Sequence, residues 1–399
     1  MNKIELLAPA GDLEKLKIAF AYGADAVFFG GKKYSLRSRA SNFDINDIKE
    51  ACKIAKEYNG KTYVTCNIFA LNEDLLDLKD LEEYLIELEN AGVDAIIASD
   101  LAIIETCKKV CKRMQVHIST QLSSYNSKAL KFFENLGATR VVLARETTLD
   151  EIKEIKEKSN IEIEAFIHGA MCMSMSGKCT LSNYMTSRDA NRGGCAQSCR
   201  WFYSLTNENG EEMSNKLFTL SSKDLRIIKE IKNLINIGVS SLKIEGRMKS
   251  EYYIATIIST YRKIIDDIYA GKLKSENKYI KELNKAASRP ASCGFYKGIP
   301  TKREQIYDKT AEIPLQNFVA RVLSYDKETK IATIEQRNNF TIKKKVEIFG
   351  PNGKLIKFKI KELYNKDNEK VEIANHAKEV LYFKIDQELT NFDMIRQEK

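Results

Sequence analysis

The sequence predicts an α/β chain: a (β/α)8 barrel of the TIM type, with a cysteine-rich insertion after strand seven and a small antiparallel β-barrel behind it. Three observations predict it. A glycine-led phrase ends helical stretches four times, at Gly23-Ala-Asp-Ala-Val-Phe-Phe, Gly92-Val-Asp-Ala-Ile-Ile, Gly137-Ala-Thr-Arg-Val-Val-Leu and Gly238-Val-Ser-Ser-Leu-Lys-Ile. Eight short apolar runs alternate with amphipathic segments over about 250 residues, the usual size of such a barrel. After about Ala311 the helical pattern stops and strand patterns alone remain.

Each element has its own warrant. The glycine of the recurring phrase suits the left-handed position that ends a helix. A strand begins two or three residues later. The eight strands expected are Ile4–Leu7, Ala26–Phe29, Thr62–Cys66, Ala95–Ala98, Val116–Ser119, Val141–Ala144, Ile163–His168 and Ser241–Glu245. Helices are expected over Leu13–Tyr22, Ile45–Tyr58, Leu78–Ala91, Leu101–Met114, Ser127–Leu136 and Leu149–Ser159. Strands alternating with helices imply a parallel sheet, with an open doubly wound sheet as the other arrangement of the same units. The Asn207-Glu-Asn-Gly210 turn predicts a β-hairpin inside the long seventh connection.

The domain boundaries follow. Residues 1–287 form the barrel, counting the cysteine-rich loop 169–201 and a helix over 251–287 expected to pack on the barrel. Residues 288–310, punctuated by proline and glycine, are a connector. Residues 311–399 form the β module, with strands at Phe318–Leu323, Ile331–Glu335, Lys345–Phe349, Leu355–Leu363, Val371–Ala374 and Tyr382–Ile385.

Composition narrows the function classes. At 43% hydrophobic and 30% charged residues the chain reads as a soluble globular protein. It holds no apolar run long enough to span a membrane, and MNKIELLAPAGD lacks a secretory core. A cytoplasmic location is expected, so the nine cysteines are expected as thiols. Lys and Arg exceed Asp and Glu by 64 to 55, a formal +9, which favours a polyanionic partner.

Four of the thiols, Cys172, Cys179, Cys195 and Cys199, share one polar, glycine-flanked loop. A thiolate group of this kind suits an iron–sulfur cluster or zinc. Structural zinc prefers two tight pairs, and only Cys195 and Cys199 are tight here, so the spacing leans toward iron–sulfur and leaves zinc open. Cys107 and Cys111 are four apart on a helix and read as core. There is no HExxH helix, no GxSxG elbow and no P-loop.

A loop after strand seven lies on the C-terminal face of a barrel, where barrel enzymes keep their active sites. The neighbouring strand ends are polar: Asn67, Ser99, Asp100, Thr120, Gln121, Arg145, Glu146, His168, Glu245 and Arg247. Of these, His168, Arg145, Glu245 and Arg247 are the candidate catalytic residues, placed to orient a substrate or move protons. Arg37, Arg39, Gln121, Arg188 and Arg192 are the candidate substrate-binding residues, since arginine pairs hold carboxylates or phosphates.

One motif resembles a known family. Glu164-x-Phe166-x-x-Gly169-Ala170-Met171-Cys172, followed after four residues by Gly177-x-Cys179-x-Leu181-Ser182, is similar throughout to the signature of unclassified peptidase family 32, the collagenase-like peptidases. The opening ELLAPAGDLEKLKIAFAYGADAVFFGG, the RGGCAQSCRW segment and Lys243-Ile-Glu245-Gly-Arg247 resemble it too, as do IFGPNG and Asn375-His376 near the C-terminus. Ala291-Ser-Cys293-Gly-Phe departs from the threonine-rich stretch expected there. The resemblance implies kinship with RNA and quinone hydroxylation proteins. For members carrying the extra C-terminal module it implies formation of 5-hydroxyuridine at the tRNA wobble position. It also implies a dependence on prephenate and a four-iron four-sulfur cluster at the positions of Cys172, Cys179, Cys195 and Cys199. The partners expected are therefore tRNA and prephenate or a similar small dicarboxylate. Two other readings stand beside this one: a peptidase, as the family name says, and a non-enzymatic RNA-binding factor with structural zinc.

Overall fold

The computed structural model describes residues 3–36, 42–214, 216–273, 275–287, 289–307 and 316–398. The chain divides into two compact units: Met1–Phe20 with Ala24–Lys249 and Arg289–Glu312, and Ala21–Gly23 with Ser250–Ser288 and Ile313–Lys399.

The first unit is a closed parallel barrel. Its strands are β1 (Glu5–Pro9), β2 (Ala26–Gly30), β3 (Lys61–Cys66), β4 (Ala95–Ala98), β5 (Gln115–Ile118), β6 (Arg140–Val142), β7 (Glu162–Gly169) and, after two short strands β8 (Ser221–Ser222) and β9 (Asp224–Arg226), β10 (Ser241–Ile244). Each of the eight pairs in parallel with the next, and β10 closes the ring by pairing with both β7 and β1. The expected (β/α)8 barrel is thus present. Its helices α1 (Leu13–Ala21), α2 (Ile45–Glu57), α3 (Leu78–Ala91), α4 (Leu101–Val110), α5 (Ser127–Asn135) and α6 (Leu149–Glu157) start at the predicted residues, and α8 (Ile231–Ile237) precedes β10. The helix ends are chemically explicit. Asp44 and Asp47 form a reciprocal capping box on α2, and Thr148 and Glu151 form one on α6. Gly23, Gly92, Gly137 and Gly238 all take the left-handed conformation read from the recurring phrase, with φ between 85° and 103°.

The barrel interior mixes apolar and ionic groups. Leu7, Ala26, Phe28, Tyr63, Ala95 and Ile97 form one buried cluster. Beside it Arg140 bonds Glu5 at 2.6 Å and Glu164 at 3.2 Å, and Lys243 bonds Glu164 at 2.7 Å. The Lys243 ammonium also lies 4.4 Å from the centre of the Phe28 ring.

β7 runs eight residues and projects past its neighbours. Its end pairs antiparallel with β9, His168 opposite Arg226 and Gly169 opposite Leu225. β9 in turn pairs with β11 (Ala291–Ser292), while β8 pairs with β12 (Gln305–Ile306). The connector is therefore part of this unit's sheet edge. The expected hairpin appears as bridges Tyr203 to Phe218 and Thr206 to Glu212, its turn closed by the Asn207 side chain.

In the second unit the predicted helix over 251–287 is two helices, α9 (Glu251–Tyr269) and α10 (Asn277–Asn284). The remaining chain forms antiparallel sheets, as expected. Six strands run in the order β17 (Leu355–Phe358), β16 (Val346–Phe349), β20 (Met394–Glu398), β13 (Gln316–Asp326), β14 (Ile331–Gln336) and β19 (Val380–Lys384). A further pair joins β15 (Phe340–Thr341) to β18 (Ile373–Ala374). Central β20 is not read from the sequence because two of its four buried positions, Arg396 and Gln397, are polar. Arg396 has no exposed surface, yet bonds Glu347 at 2.9 Å and Glu282 at 2.7 Å. No helix among the described residues is long and apolar enough to cross a membrane.

Candidate active site

Gly169 ends β7 with φ 114°, a value favourable only to glycine, and a Cβ there would meet the Glu245 carbonyl at 2.5 Å. This close approach brings the start of the cysteine loop against the end of β10. Glu146, just past β6, holds the next turn by accepting from the Ser176 N–H at 2.7 Å. The short helix α7 (Leu181–Thr186) and two 3-10 turns, Ala190–Arg192 and Ser198–Arg200, complete the loop.

The two halves of the loop are tied across it. The Asn191 side chain accepts from the Cys179 N–H at 3.3 Å and donates to the Cys179 carbonyl at 3.1 Å. Ser182 accepts from the Ala196 N–H at 3.1 Å. The Leu220 N–H bonds the Cys199 carbonyl at 3.0 Å, and the Tyr203 hydroxyl bonds the Ser198 carbonyl at 2.7 Å. Arg192 makes two bonds to Asp74, at 2.5 and 3.0 Å, and one to the Phe69 carbonyl at 2.8 Å. Its role in the fold is to clamp the loop to the segment after β3.

All nine cysteines are free thiols. Cys172, Cys179 and Cys199 are half-buried and Cys195 is exposed. Burial pushes the Cys199 thiol up, and the nearby Cys172, Cys195 and Cys179 add to it. Burial also raises Cys172, as do Cys179 and Cys195, against the Ser174 N–H and Arg145. So the Cys172 and Cys199 sulfurs both sense the other thiols of the loop. Two also accept backbone N–H bonds, from Ser174 at 3.4 Å to Cys172 and from Leu181 at 3.3 Å to Cys179. Among the described residues, no three Cys, His, Asp or Glu side chains converge at metal-holding distance. The loop gathers the thiols without closing them on one point. Their chemistry nonetheless fits a cationic iron–sulfur centre, which favours the thiolates that burial and mutual repulsion disfavour.

Below the loop, the Arg145 guanidinium lies 4.0 Å above the Phe166 ring and 3.9 Å from the Glu245 carboxylate. Arg247 is buried, within 3.4 Å of Ser35, 3.3 Å of Thr65 and 2.9 Å of Asn42. His168 is buried too. Desolvation first, then Arg226 and Lys249, pull its imidazole down to about 3. It is neutral at pH 7. Gln121 lies beside Gly177 of the loop, with its carbonyl oxygen buried and without a hydrogen-bond partner among the described residues. Arg188 is exposed on the loop, and Arg37 and Arg39 lie outside the described residues.

The structure adds residues that sequence reasoning missed. Lys249 follows β10, Arg226 is in β9, Arg200 follows Cys199, and Arg289 precedes β11. Lys249 is lowered by burial, with Arg200 and Arg289 adding to it against Asp224 and Glu245. Arg289 is lowered by burial and by Arg200, against Asp224 and Cys199. The ladder from β7 to β9 sets Arg226 opposite His168, the ladder from β9 to β11 brings the stretch after Arg289 to Asp224, and no local motif marks either.

Comparison with known proteins agrees with this architecture. The model of peptidase family U32 matches residues 11–306, and that of the U32 C-terminal domain matches residues 315–396. The tRNA hydroxylation protein P1 of Bacillus subtilis is 47% identical over 406 residues, covering 100% of this chain and 96% of its own. The tRNA hydroxylation protein P of Escherichia coli is 33% identical, covering 94% of this chain and 92% of its own. A collagenase of Porphyromonas gingivalis is 31% identical, covering 91% of this chain and 90% of its own. With both models matched and such relatives aligned nearly end to end, the chain belongs to peptidase family U32.

Proposed function

We propose that this protein hydroxylates tRNA, converting the wobble uridine to 5-hydroxyuridine with an iron–sulfur cluster and in dependence on prephenate or a similar dicarboxylate. The observation that carries this reading is the end-to-end similarity to the Bacillus subtilis tRNA hydroxylation protein, cysteine loop included. The gathering of Cys172, Cys179, Cys195 and Cys199 over the polar strand ends supports it. When bound, such a cluster supplies electron transfer.

The chain's own residues supply position. The Phe166 ring and Glu245 hold the Arg145 guanidinium in a fixed pose beside Cys172, where it can steady an anionic substrate group. Neutral His168 serves as a hydrogen-bonding group and does not store a proton at pH 7. Buried Arg247 joins Ser35, Thr65 and Asn42, orienting the strand ends from within. The net charge of +9 suits a tRNA partner, whose target base is to be turned out of its stack toward the mouth.

The test is mass spectrometry of tRNA nucleosides from a deletion strain. Loss of 5-hydroxyuridine, restored by the wild-type gene but not by Cys179→Ala, is expected; unchanged modification in the deletion strain overturns the proposal. Iron and labile sulfide in protein purified without oxygen distinguish the cluster from structural zinc. Restoration by added prephenate, in a strain unable to make it, tests the dicarboxylate.

The collagenase relative raises the peptidase reading. A peptidase using a histidine base needs an imidazole that titrates near neutrality. His168 is held near 3, and His117 is fully buried with both ring nitrogens lacking a hydrogen-bond partner among the described residues. Neither barrel histidine suits that chemistry.

A further inference from the structure

β17 stands at the end of the strand order in the second unit's six-stranded sheet and pairs with β16. Its residues alternate in their surroundings. Ile356 and Phe358 pack against the buried core of that unit, and Ile360 beyond them belongs to the core itself. Lys357, Lys359 and Lys361 take the intervening places and are exposed. Alternate residues of an extended chain lie about 6.6–6.8 Å apart on one face, so Lys357-Phe-Lys359-Ile-Lys361 sets out a row of ammonium groups. Lys345 broadens the row. One step past the pairing of Val346 with Phe358, Lys345 and Lys359 stand at the same end of the β16–β17 ladder, and Lys345 is exposed as well.

The neighbouring carboxylates are already engaged. Glu347, the register partner of Lys357, bonds Lys285 at 2.8 Å and Arg396 at 2.9 Å. Glu362, next after Lys361, bonds Lys370 at 2.6 Å. Glu372 lies 3.3 Å from Lys343, and Asp386 lies 2.8 Å from Lys330. Among the described residues none of Lys345, Lys357, Lys359 and Lys361 makes an ion pair. Exposed ammonium groups on flexible stems are hydrated point charges, and a single small anion gains little from any one of them. A row gains by number. An anion whose charges repeat along a line meets several lysines at once and releases a counterion at each.

We propose that Lys345, Lys357, Lys359 and Lys361 form a docking surface for the phosphodiester backbone of an RNA, carried by the second unit. The charge pattern points to a linear polyanion; that the polyanion is RNA rests on the function proposed above. Lysine on an edge strand also deters pairing with a second chain. That service needs charge of either sign, whereas a phosphate backbone needs positive charge, and this difference separates the two roles.

The test is a fluorescence-anisotropy titration of the full-length protein with an unmodified tRNA transcript, at salt concentrations between about 50 and 200 mM. Replacing Lys357, Lys359 and Lys361 together by Gln is expected to weaken binding at least about tenfold at the lowest salt and to make the salt slope shallower by about two to three, near one for each lost phosphate contact. A control triple of exposed barrel lysines, Lys53→Gln on α2, Lys128→Gln on α5 and Lys232→Gln on α8, removes the same charge and is expected to keep the wild-type slope. If the Gln triple self-associates, Lys359→Glu with Lys361→Glu replaces it. That pair keeps the edge charged and is expected to weaken binding at least as much. No tRNA binding by the wild type, an unchanged slope in the β17 variants, or equal loss in the control triple overturns the surface. Unchanged tRNA affinity together with lost binding to phosphatidylserine vesicles overturns it too and assigns the row to a membrane surface. Binding is read without hydroxylation. Weakened tRNA binding in the variants, beside unchanged 5-hydroxyuridine in the deletion strain, keeps the surface and rejects the reaction.

Discussion

The Glu164 carboxylate, with no exposed surface, lies 2.7 Å from the Lys243 ammonium on the adjacent barrel strand. Burial alone raises a carboxyl pKa. Here Lys243 and Arg140 outweigh it and hold Glu164 below its ordinary range. Glu164 therefore stays ionised inside the barrel.

Removing one partner of a buried pair leaves the other charge uncompensated, which costs about 3–5 kcal/mol. Lys243→Met is expected to lose stability on that scale in urea unfolding at pH 7. The pH dependence has a definite sign. Glu164 has a lower pKa folded than unfolded, so its contribution is complete above about 4.3 and is lost as pH falls through the folded value. The difference between wild type and Glu164→Gln is therefore expected to shrink in acid. A difference that grows there contradicts the assignment.

His168 and His117 also resist protonation, over a higher pH window. Unfolded imidazoles take up a proton near 6.5, while His168 does so only near 3, and His117 is held well below its ordinary value by burial and by Arg140 and Lys243. Stability is full above the unfolded value and falls as pH drops toward the folded one. Each histidine contributes a slope of about 1.4 kcal/mol per pH unit in that window. Unfolding midpoints for His168→Gln between pH 6.5 and 4 are expected to show the shallower slope.

Asn191 bridges the loop by binding both backbone groups of Cys179. Two lost hydrogen bonds remove about 1–3 kcal/mol locally. Asn191→Ala is expected to raise hydrogen exchange at the Cys179 and Leu181 amides while leaving β1 to β6 protected. Uniform loss of protection throughout the barrel counts against a local role.

In the second unit, Arg396 joins Glu347 of β16 to Glu282 of α10 and stacks 4.4 Å from the Phe349 ring centre. Arg396→Met leaves both carboxylates without it, an expected loss of about 3–5 kcal/mol in thermal or urea unfolding. Arg396→Lys is expected to recover little, because a point charge cannot span both carboxylates as the planar fork does.

Local chemistry made the barrel legible. Gly92 and Gly137 announce helix ends through backbone conformation alone, and the apolar runs after them announce strands. The cysteine loop was legible because four thiols and their glycines are contiguous. The rest depends on partners distant in sequence. Glu164 and Arg396 look like surface residues until Lys243 and Glu347 are placed beside them. Arg192 reads as a substrate-binding arginine, yet its guanidinium bonds Asp74 twice and the Phe69 carbonyl once. Arg289 lies within a connector, and only its neighbour strand's pairing with β9 gives it a place in the mouth. Two-residue strands such as β8 and β11 are too short for any hydrophobic period to register.

Gly169 and Leu225 are register partners, so the chain leaves the barrel and returns to it at nearly one point. A segment with adjoining ends behaves as a cassette. The entropy of closing it grows only slowly with its length, and the eight parallel pairings are complete without it. Residues can therefore be inserted, trimmed or exchanged between those two positions while the barrel keeps its register. The same doorway that carries the thiols is the place where descendants of this fold can acquire a different substrate without refolding the scaffold.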